Sequence, residues 1–255
     1  MIVACPTYRK YDLCVEMILS GDAGTLKPDK YVILDNSAGG FIPHVQEHKP
    51  ELLEREDITI LDVGYNAGVA KGWNILLDYV KDNLNDAFTV VVNDDIVFLD
   101  NTLELLYDAY VFFKRAVDYE ETSAIVYCGG GIDAINAFSM FGCVPSVLFD
   151  KVGRFSEVFY PSYHEDSDMY HRMRLKGYDL YRVPDCNAYH SEGGSATIKS
   201  YTPQERALHD HQFRRGRELY IRMWGGIPGE EKYNQMFNGE DIMHHMQEIY
   251  KRYGF

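Results

Sequence analysis

No apolar run in this chain approaches the roughly 20 residues that a bilayer-spanning helix needs. Basic residues are in deficit, with 25 Lys and Arg against 39 Asp and Glu and a formal net charge of −14. A broad electrostatic grip on nucleic acid needs clustered Lys and Arg, so that class is disfavoured. Cysteine is sparse: Cys5, Cys14, Cys128, Cys143 and Cys186 are odd in number, widely spaced and contain no CxxC pair. Neither a zinc knuckle nor a disulfide framework follows, and buried reduced thiols of a cytoplasmic protein are expected. Several motifs are missing. The absence of GxxxxGK before Ser or Thr excludes a P-loop NTPase, and GxSxG and HExxH are also lacking. His209-Asp210-His211 and His244-His245 lack the i,i+4 ligand spacing and read as surface residues. The opening Met1-Ile2-Val3-Ala4-Cys5 reads as a strand and not as a signal peptide, which would show a basic start and a longer apolar stretch.

Hydrophobic residues make up 46% of the 255, enough for one large domain or two small ones. Short apolar runs at Ile2–Cys5, Tyr31–Leu34, Ile58–Leu61 and Phe88–Val92 suit the buried strands of a parallel sheet. Between them, Val69, Trp73, Leu76 and Val80 share one helical face, and Leu103, Leu106, Tyr107, Tyr110 and Val117 do the same later. This alternation predicts an α/β sheet flanked by helices, with polar strand ends gathered along one edge. From about Ser123 the pattern changes. Strands are expected at Ala124–Cys128 and Met140–Leu148, and Gly129-Gly130-Gly131 reads as a turn although it formally fits GxGxxA. A helix is expected from Glu165 to Gly177, then strands Leu180–Val183 and Ala188–His190. The chain is helical beyond Ser195. From Ala196 to Trp224 it carries six basic residues (Lys199, Arg206, Arg214, Arg215, Arg217, Arg222) against three acidic ones. Either a solvated helix or a lobe facing an anionic ligand accounts for that excess.

Three constellations carry chemistry. Val90-Val91-Val92-Asn93-Asp94-Asp95 delivers two carboxylates and an amide to a strand end. Such charge calls for a partner, and a hard divalent cation bearing phosphates is an apt one. Tyr163-His164-Glu165-Asp166-Ser167-Asp168 places three carboxylates at a helix start, where one can act as a general base. His190, at a strand end before Ser191-Glu192-Gly193-Gly194, is a candidate metal ligand. Each also has a plainer reading as a polar turn, an acidic first turn or a hydrogen-bonded structural histidine.

In order along the chain, these pieces resemble the family-two, rhamnosyltransferase-like glycosyltransferases of the GT-A fold. Val3-Ala4-Cys5-Pro6-Thr7-Tyr8 resembles their first strand and nucleotide-contacting turn. Ile33-Leu34-Asp35-Asn36-Ser37 resembles the second strand, with Asp35 toward the nucleobase. Tyr65-Asn66-Ala67-Gly68-Val69-Ala70-Lys71-Gly72-Trp73-Asn74 is similar to their Asn-x-Gly segment before a helix. Asn93-Asp94-Asp95 stands at their DXD metal motif, and Phe155–Pro161 followed by Glu165-Asp166 resembles the acceptor loop and catalytic helix. Val183-Pro184-Asp185 and His190 match the strand pair ending in the family's His, and Arg222-Met223-Trp224-Gly225-Gly226-Ile227-Pro228-Gly229-Glu230-Glu231 resembles a C-terminal segment of some members.

The resemblance implies an inverting, metal-assisted transfer of a hexosyl or pentosyl group from a UDP- or dTDP-linked sugar to a glycan or other hydroxyl acceptor. Manganese or magnesium would sit on Asp95 and His190. Pro6, Thr7, Tyr8, Asp35, Asn66, Gly68, Asn93 and Asp94 would meet the nucleotide sugar, while Lys71 meets the diphosphate or stays on the surface. Asp166 would be the base, with Glu165 holding acceptor or sugar, Asp168 and Arg172 locking the helix, and Trp224 on the acceptor side. A hydroxylated base of viral DNA is an alternative acceptor, disfavoured by the acidic total. A sugar nucleotidyltransferase or a non-catalytic nucleotide-binding protein is a rival reading. The turn Pro6-Thr7-Tyr8-Arg9-Lys10, without glycine, argues against the nucleotidyltransferase. The expected organisation is a GT-A domain over 1–195, with a nucleotide-sugar half (1–100) and an acceptor half (101–195), and a helical extension over 196–255.

Overall fold

The computed structural model describes residues 1–116, 125–128, 138–178, 180–191 and 196–253. Val117, Ala124, the Gly129-Gly130-Gly131 turn and Glu192 to Ser195 lie outside them.

Alternate strand residues feed two different cores, which is why these runs are apolar throughout. In β1 (Ile2–Thr7), Val3 and Cys5 join one apolar cluster, and Ile2 and Ala4 join another. β2 (Lys30–Asp35) divides in the same way, with Tyr31 and Ile33 against Val32 and Leu34. The first cluster is covered by α1 (Tyr11–Ala23), α2 (Phe41–His48) and α4 (Thr102–Ala116). On the opposite face, α3 (Val69–Asn83) lays Leu76 and Val80 over Ala4, Val32 and Leu34.

Five more strands complete the main sheet: β3 (Ile58–Asp62), β4 (Thr89–Val92), β6 (Ile125–Cys128), β7 (Met140–Cys143) and β8 (Leu180–Val183). Its order is β3-β2-β1-β4-β7-β6-β8, mostly parallel, with β7 antiparallel to both neighbours. A separate antiparallel ribbon joins β5 (Ile96–Phe98) to β9 (Ala188–His190). The α/β GT-A-type layering expected from the sequence is present.

One expected strand is shorter than its apolar run. Met140–Leu148 does not continue as β structure: the strand stops at Cys143, and α5 (Pro145–Lys151) begins with Pro145 in its first turn. Proline's fixed φ and missing N–H suit that position, and the same features bar it from a central strand. Cys5, Cys14, Cys143 and Cys186 are buried free thiols.

The helix expected near Glu165 is α6 (Glu165–Leu175). Beyond it, α7 (Ala196–Lys199) precedes α8 (Pro203–Trp224), which starts on a reciprocal capping box between Thr202 and Glu205. After α8, Gly225 turns the chain at φ 75°, and α9 (Ile242–Tyr253) packs back. Leu219, Tyr220, Met223, Trp224, Phe237 and Ile249 form a C-terminal core that also takes in Phe159 from the loop before α6. The extension is therefore bound to the half of the chain that carries the acidic helix start. Among the described residues, no helix is long and apolar enough to cross a membrane.

Candidate active site

The parallel register aligns Thr7 with Asp35, and Asp35 with Asp62, along one edge of the sheet. β4 ends at the same edge and presents Asn93, Asp94 and Asp95. One Asp94 oxygen accepts from the Thr7 hydroxyl at 2.9 Å and from the Tyr8 amide at 3.1 Å. Asp94 thus fixes the β1 turn to the end of β4. Burial, and then the Asp95 charge, push its carboxyl up to about 7.

Asp95 is buried, and its Oδ1 lies 3.8 Å from His190 Nε2. The approach follows from the ribbon: β5 leaves directly after Asp95, and its pairing sets Ile96 opposite His190. The Asp95 carbonyl also accepts from the Ser191 amide at 2.7 Å. A gap of 3.8 Å is too long for a hydrogen bond and shorter than two metal–ligand distances of about 2.1 Å each. A carboxylate oxygen and an imidazole nitrogen are suitable donors for manganese or magnesium. Among the described residues, no group of three or more His, Cys, Asp or Glu is gathered as a full coordination shell. Two protein ligands with phosphate and water filling the rest is the usual arrangement for such an ion at a nucleotide.

Asp35 is 1% exposed, and its carboxylate accepts from the Ser37 amide and hydroxyl and from the Phe41 amide. It therefore starts α2 from within the turn. Its neighbour Asn36, which the sequence did not single out, joins the first two motifs. Asn36 Oδ1 accepts from the Ala67 amide at 2.7 Å, and its Nδ2 donates to the Gly68 carbonyl at 3.3 Å. Asn66 accepts from the Gly68 amide. Gly68 has φ +79°, and a Cβ there would stand 2.8 Å from the Pro161 carbonyl oxygen. That oxygen accepts from the Val69 amide at 2.8 Å, so α3 begins against the loop that leads to α6. Asn74, which ends the Asn-x-Gly segment and was given no role there, bonds Phe155 through both its carbonyl and its amide. Lys71 holds its ammonium 5.2 Å from the Tyr65 ring centroid.

Tyr163 and His164 lead into α6 with φ of 76° and 78°, a conformation that non-glycine residues adopt at a cost of about 1–3 kcal/mol each. Glu165 is buried and its Oε2 has no hydrogen-bond partner. Burial, reinforced by the Asp166 charge, pushes its carboxyl well above the usual range. Asp166 is less enclosed and accepts from the Ser167 amide at 2.6 Å. Asp168 is fully buried between Arg172 Nε at 2.9 Å and the Trp224 indole N–H at 3.0 Å.

Trp224 departs from its expected place. It is 2% exposed and packed in the C-terminal core, so it braces α6 from behind and does not line a cleft. What α8 brings to the α6 lead-in is a different set. Phe213 and His209 set their rings 5.2 and 5.4 Å from Tyr163. Arg215 donates to the Tyr160 carbonyl at 2.6 Å. At the other end of α8, Glu205 pairs with Arg9, beside Tyr8. His209 and His245 are largely enclosed and not the surface residues expected, because their rings pack on Tyr163 and Phe237.

No protein-family model matches the sequence, and no curated protein matches it. Solved structures do. The mannosyltransferase PcManGT from Pyrobaculum calidifontis, in complex with GDP-Man and Mn2+, superposes with a TM-score of 0.52 at 16% identity, over 86% of this chain and 61% of that one. S. aureus TarS 1–349 in complex with UDP-GlcNAc gives 0.53 at 16% identity, over 84% and 65%. A further S. aureus TarS structure gives 0.51 at 17% identity, over 86% and 43%. This chain has the GT-A fold. It spans less than two thirds of the chain in each of these three structures. In GT-A terms, the β1, β2 and β4 ends form the edge described above, and α6 with α8 forms the wall beside it.

Proposed function

We propose that the chain is an inverting glycosyltransferase of the family-two, rhamnosyltransferase-like kind, using a UDP- or dTDP-linked sugar and a divalent metal. The observation that carries this reading is the convergence of Asp94, Asp95 and His190 at the carboxyl end of β4, on a fold shared with structures solved with UDP-GlcNAc and with GDP-Man and Mn2+.

In this reading the Pro6-Thr7-Tyr8 turn, held by Asp94, receives the nucleoside. Asn66 and Gly68, held by Asn36, shape the opposite lip, and Asn93 meets ribose or a metal-bound water. Asp35 acts by fixing its turn. Asp95 and His190 would hold manganese or magnesium, and such an ion would supply positive charge beside the departing diphosphate. Lys71, within reach of the same edge, adds a cation. Asp166 takes the proton from the acceptor hydroxyl as that oxygen bonds the anomeric carbon. The carbon–phosphate oxygen bond breaks on the opposite side, and configuration inverts. Glu165, whose carboxyl is pushed up by burial and whose Oε2 has no partner among the described residues, holds acceptor or sugar.

The test is release of nucleoside diphosphate from a panel of UDP-, dTDP- and GDP-sugars with manganese and mixed hydroxyl acceptors. Acceptor-dependent release with one donor supports the reading. No release above spontaneous hydrolysis with any donor contradicts it.

A further inference from the structure

Six arginines of this acidic chain pair with carboxylates: Arg9, Arg55, Arg154, Arg172, Arg222 and Arg252. Arg206, Arg214 and Arg217 on α8 do otherwise. All three are exposed, and none forms an ion pair among the described residues. Asp210, four residues from both Arg206 and Arg214, lies on the same arc of the helix; one of its oxygens is engaged with His209, and among the described residues it is an ion-pair partner of none of the three arginines. Arg115, Arg174 and Arg182 also form no ion pair among the described residues but sit on three different elements, whereas on α8 three unpaired guanidinium groups gather along one helix and leave a cationic surface open to an anion.

Their position is defined by α8 itself. At about 100° per residue, 206, 213, 214 and 217 fall within an arc of about 100° on the helix. Phe213, at one edge of that arc, is 37% exposed and stands 5.2 Å from the Tyr163 ring and 5.5 Å from the His164 ring. Gly216, next to Arg217, lies against the same lead-in: a Cβ there would stand 3.5 Å from the His164 ring and 3.8 Å from the Tyr163 carbonyl oxygen. The arginine stripe therefore starts beside the helix end that carries Asp166.

We infer that the acceptor carries a phosphate near its reacting hydroxyl, bound by Arg214 and Arg217 with Arg206 further along α8, while Phe213 and Tyr163 pack on the acceptor's carbon face. This rests on the glycosyl-transfer reading above and names its acceptor class. A guanidinium fork matches phosphate oxygens bidentately, and exposed aromatic rings offer a flat apolar surface to a polyol or sugar. The phosphate is a recognition handle and stays intact through the transfer. A short phosphorylated acceptor fits better than a nucleic acid. Three arginines spread over about 17 Å of helix can hold one or two phosphates, whereas a long polyanion would meet the −14 charge of the rest of the chain.

The test pairs acceptors that differ only in phosphate: glycerol with glycerol 3-phosphate, and glucose with glucose 6-phosphate. A single-stranded DNA oligonucleotide serves as a competitor. The expected result is a KM about tenfold lower for the phosphorylated member, lost in R214Q/R217Q and partly restored in R214K/R217K, with donor KM unchanged. Equal use of both members by the parent protein, or a preference that survives R214Q/R217Q, overturns the inference and leaves the proposed function standing. Stronger competition from the oligonucleotide than from glycerol 3-phosphate also overturns it. A protein-observed NMR titration with glycerol 3-phosphate, without donor, separates the remaining case. Shifts at the Arg214 and Arg217 side chains in a protein that transfers nothing uphold the phosphate site and contradict the function.

Discussion

The Trp224 indole N–H donates to Asp168 Oδ1 at 3.0 Å, joining the end of α8 to α6, the helix that begins with Glu165 and Asp166. Asp168 is fully buried and depends on this bond and on Arg172 for compensation. Trp224→Phe keeps most of the ring volume and leaves one carboxylate oxygen unsatisfied. Denaturant unfolding should show a loss of about 1–3 kcal/mol. A change within 0.5 kcal/mol would mean that the bond does not hold the two helices together.

Glu165 provides a pH signature. Burial raises its folded-state pKa above that of the unfolded chain, so the native state keeps a proton that the unfolded state has released. Its contribution to stability is therefore present at acid pH and is lost as pH rises from about 4.3, by up to about 1.4 kcal/mol per pH unit. Glu165→Gln removes this dependence. The stability gap should turn in favour of the variant as pH rises, and parallel pH profiles for parent and variant would contradict the burial argument.

Gly68 tests the contact between α3 and the loop before α6. Gly68→Ala adds a Cβ 2.8 Å from the Pro161 carbonyl oxygen, at a φ of +79° that alanine rarely adopts. We expect destabilisation of more than about 1 kcal/mol in the same unfolding assay. An unchanged midpoint would show that the loop yields freely.

Asp166→Asn preserves shape and removes the proton acceptor. Transfer should fall by about 100-fold or more with donor KM unchanged, as read from initial rates over a donor series. Near-parental rates in this variant, with Glu165→Gln inactive instead, would move the base to Glu165.

The strands of the nucleotide half were legible because both faces of β1, β2 and β4 are buried, leaving unbroken apolar runs. Proline in the run Met140–Leu148 was the available sign that the strand had already ended. The ribbon strand β5 is only three residues long and carries no period to read. It is nonetheless what brings Asp95 to His190, so both residues were visible as candidates while their proximity was not. Asn36 and Asn74 were given no role for a related reason. Their amides bond backbone groups 31 and 81 residues away, and nothing local distinguishes them from surface asparagines. Trp224 beside two glycines reads the same whether it lines a cleft or closes a core; only its burial decides.

The proposed metal-assisted nucleotide site at the end of β4 is tested most directly by isothermal titration of UDP, dTDP and GDP, with and without manganese, into the parent protein and Asp95→Ala. The account predicts that at least one nucleotide binds the parent, that manganese strengthens this binding about tenfold or more, and that Asp95→Ala folds normally but loses the metal dependence. Equal metal-dependent affinity in the variant, or no binding of any of the three to the parent, would contradict it.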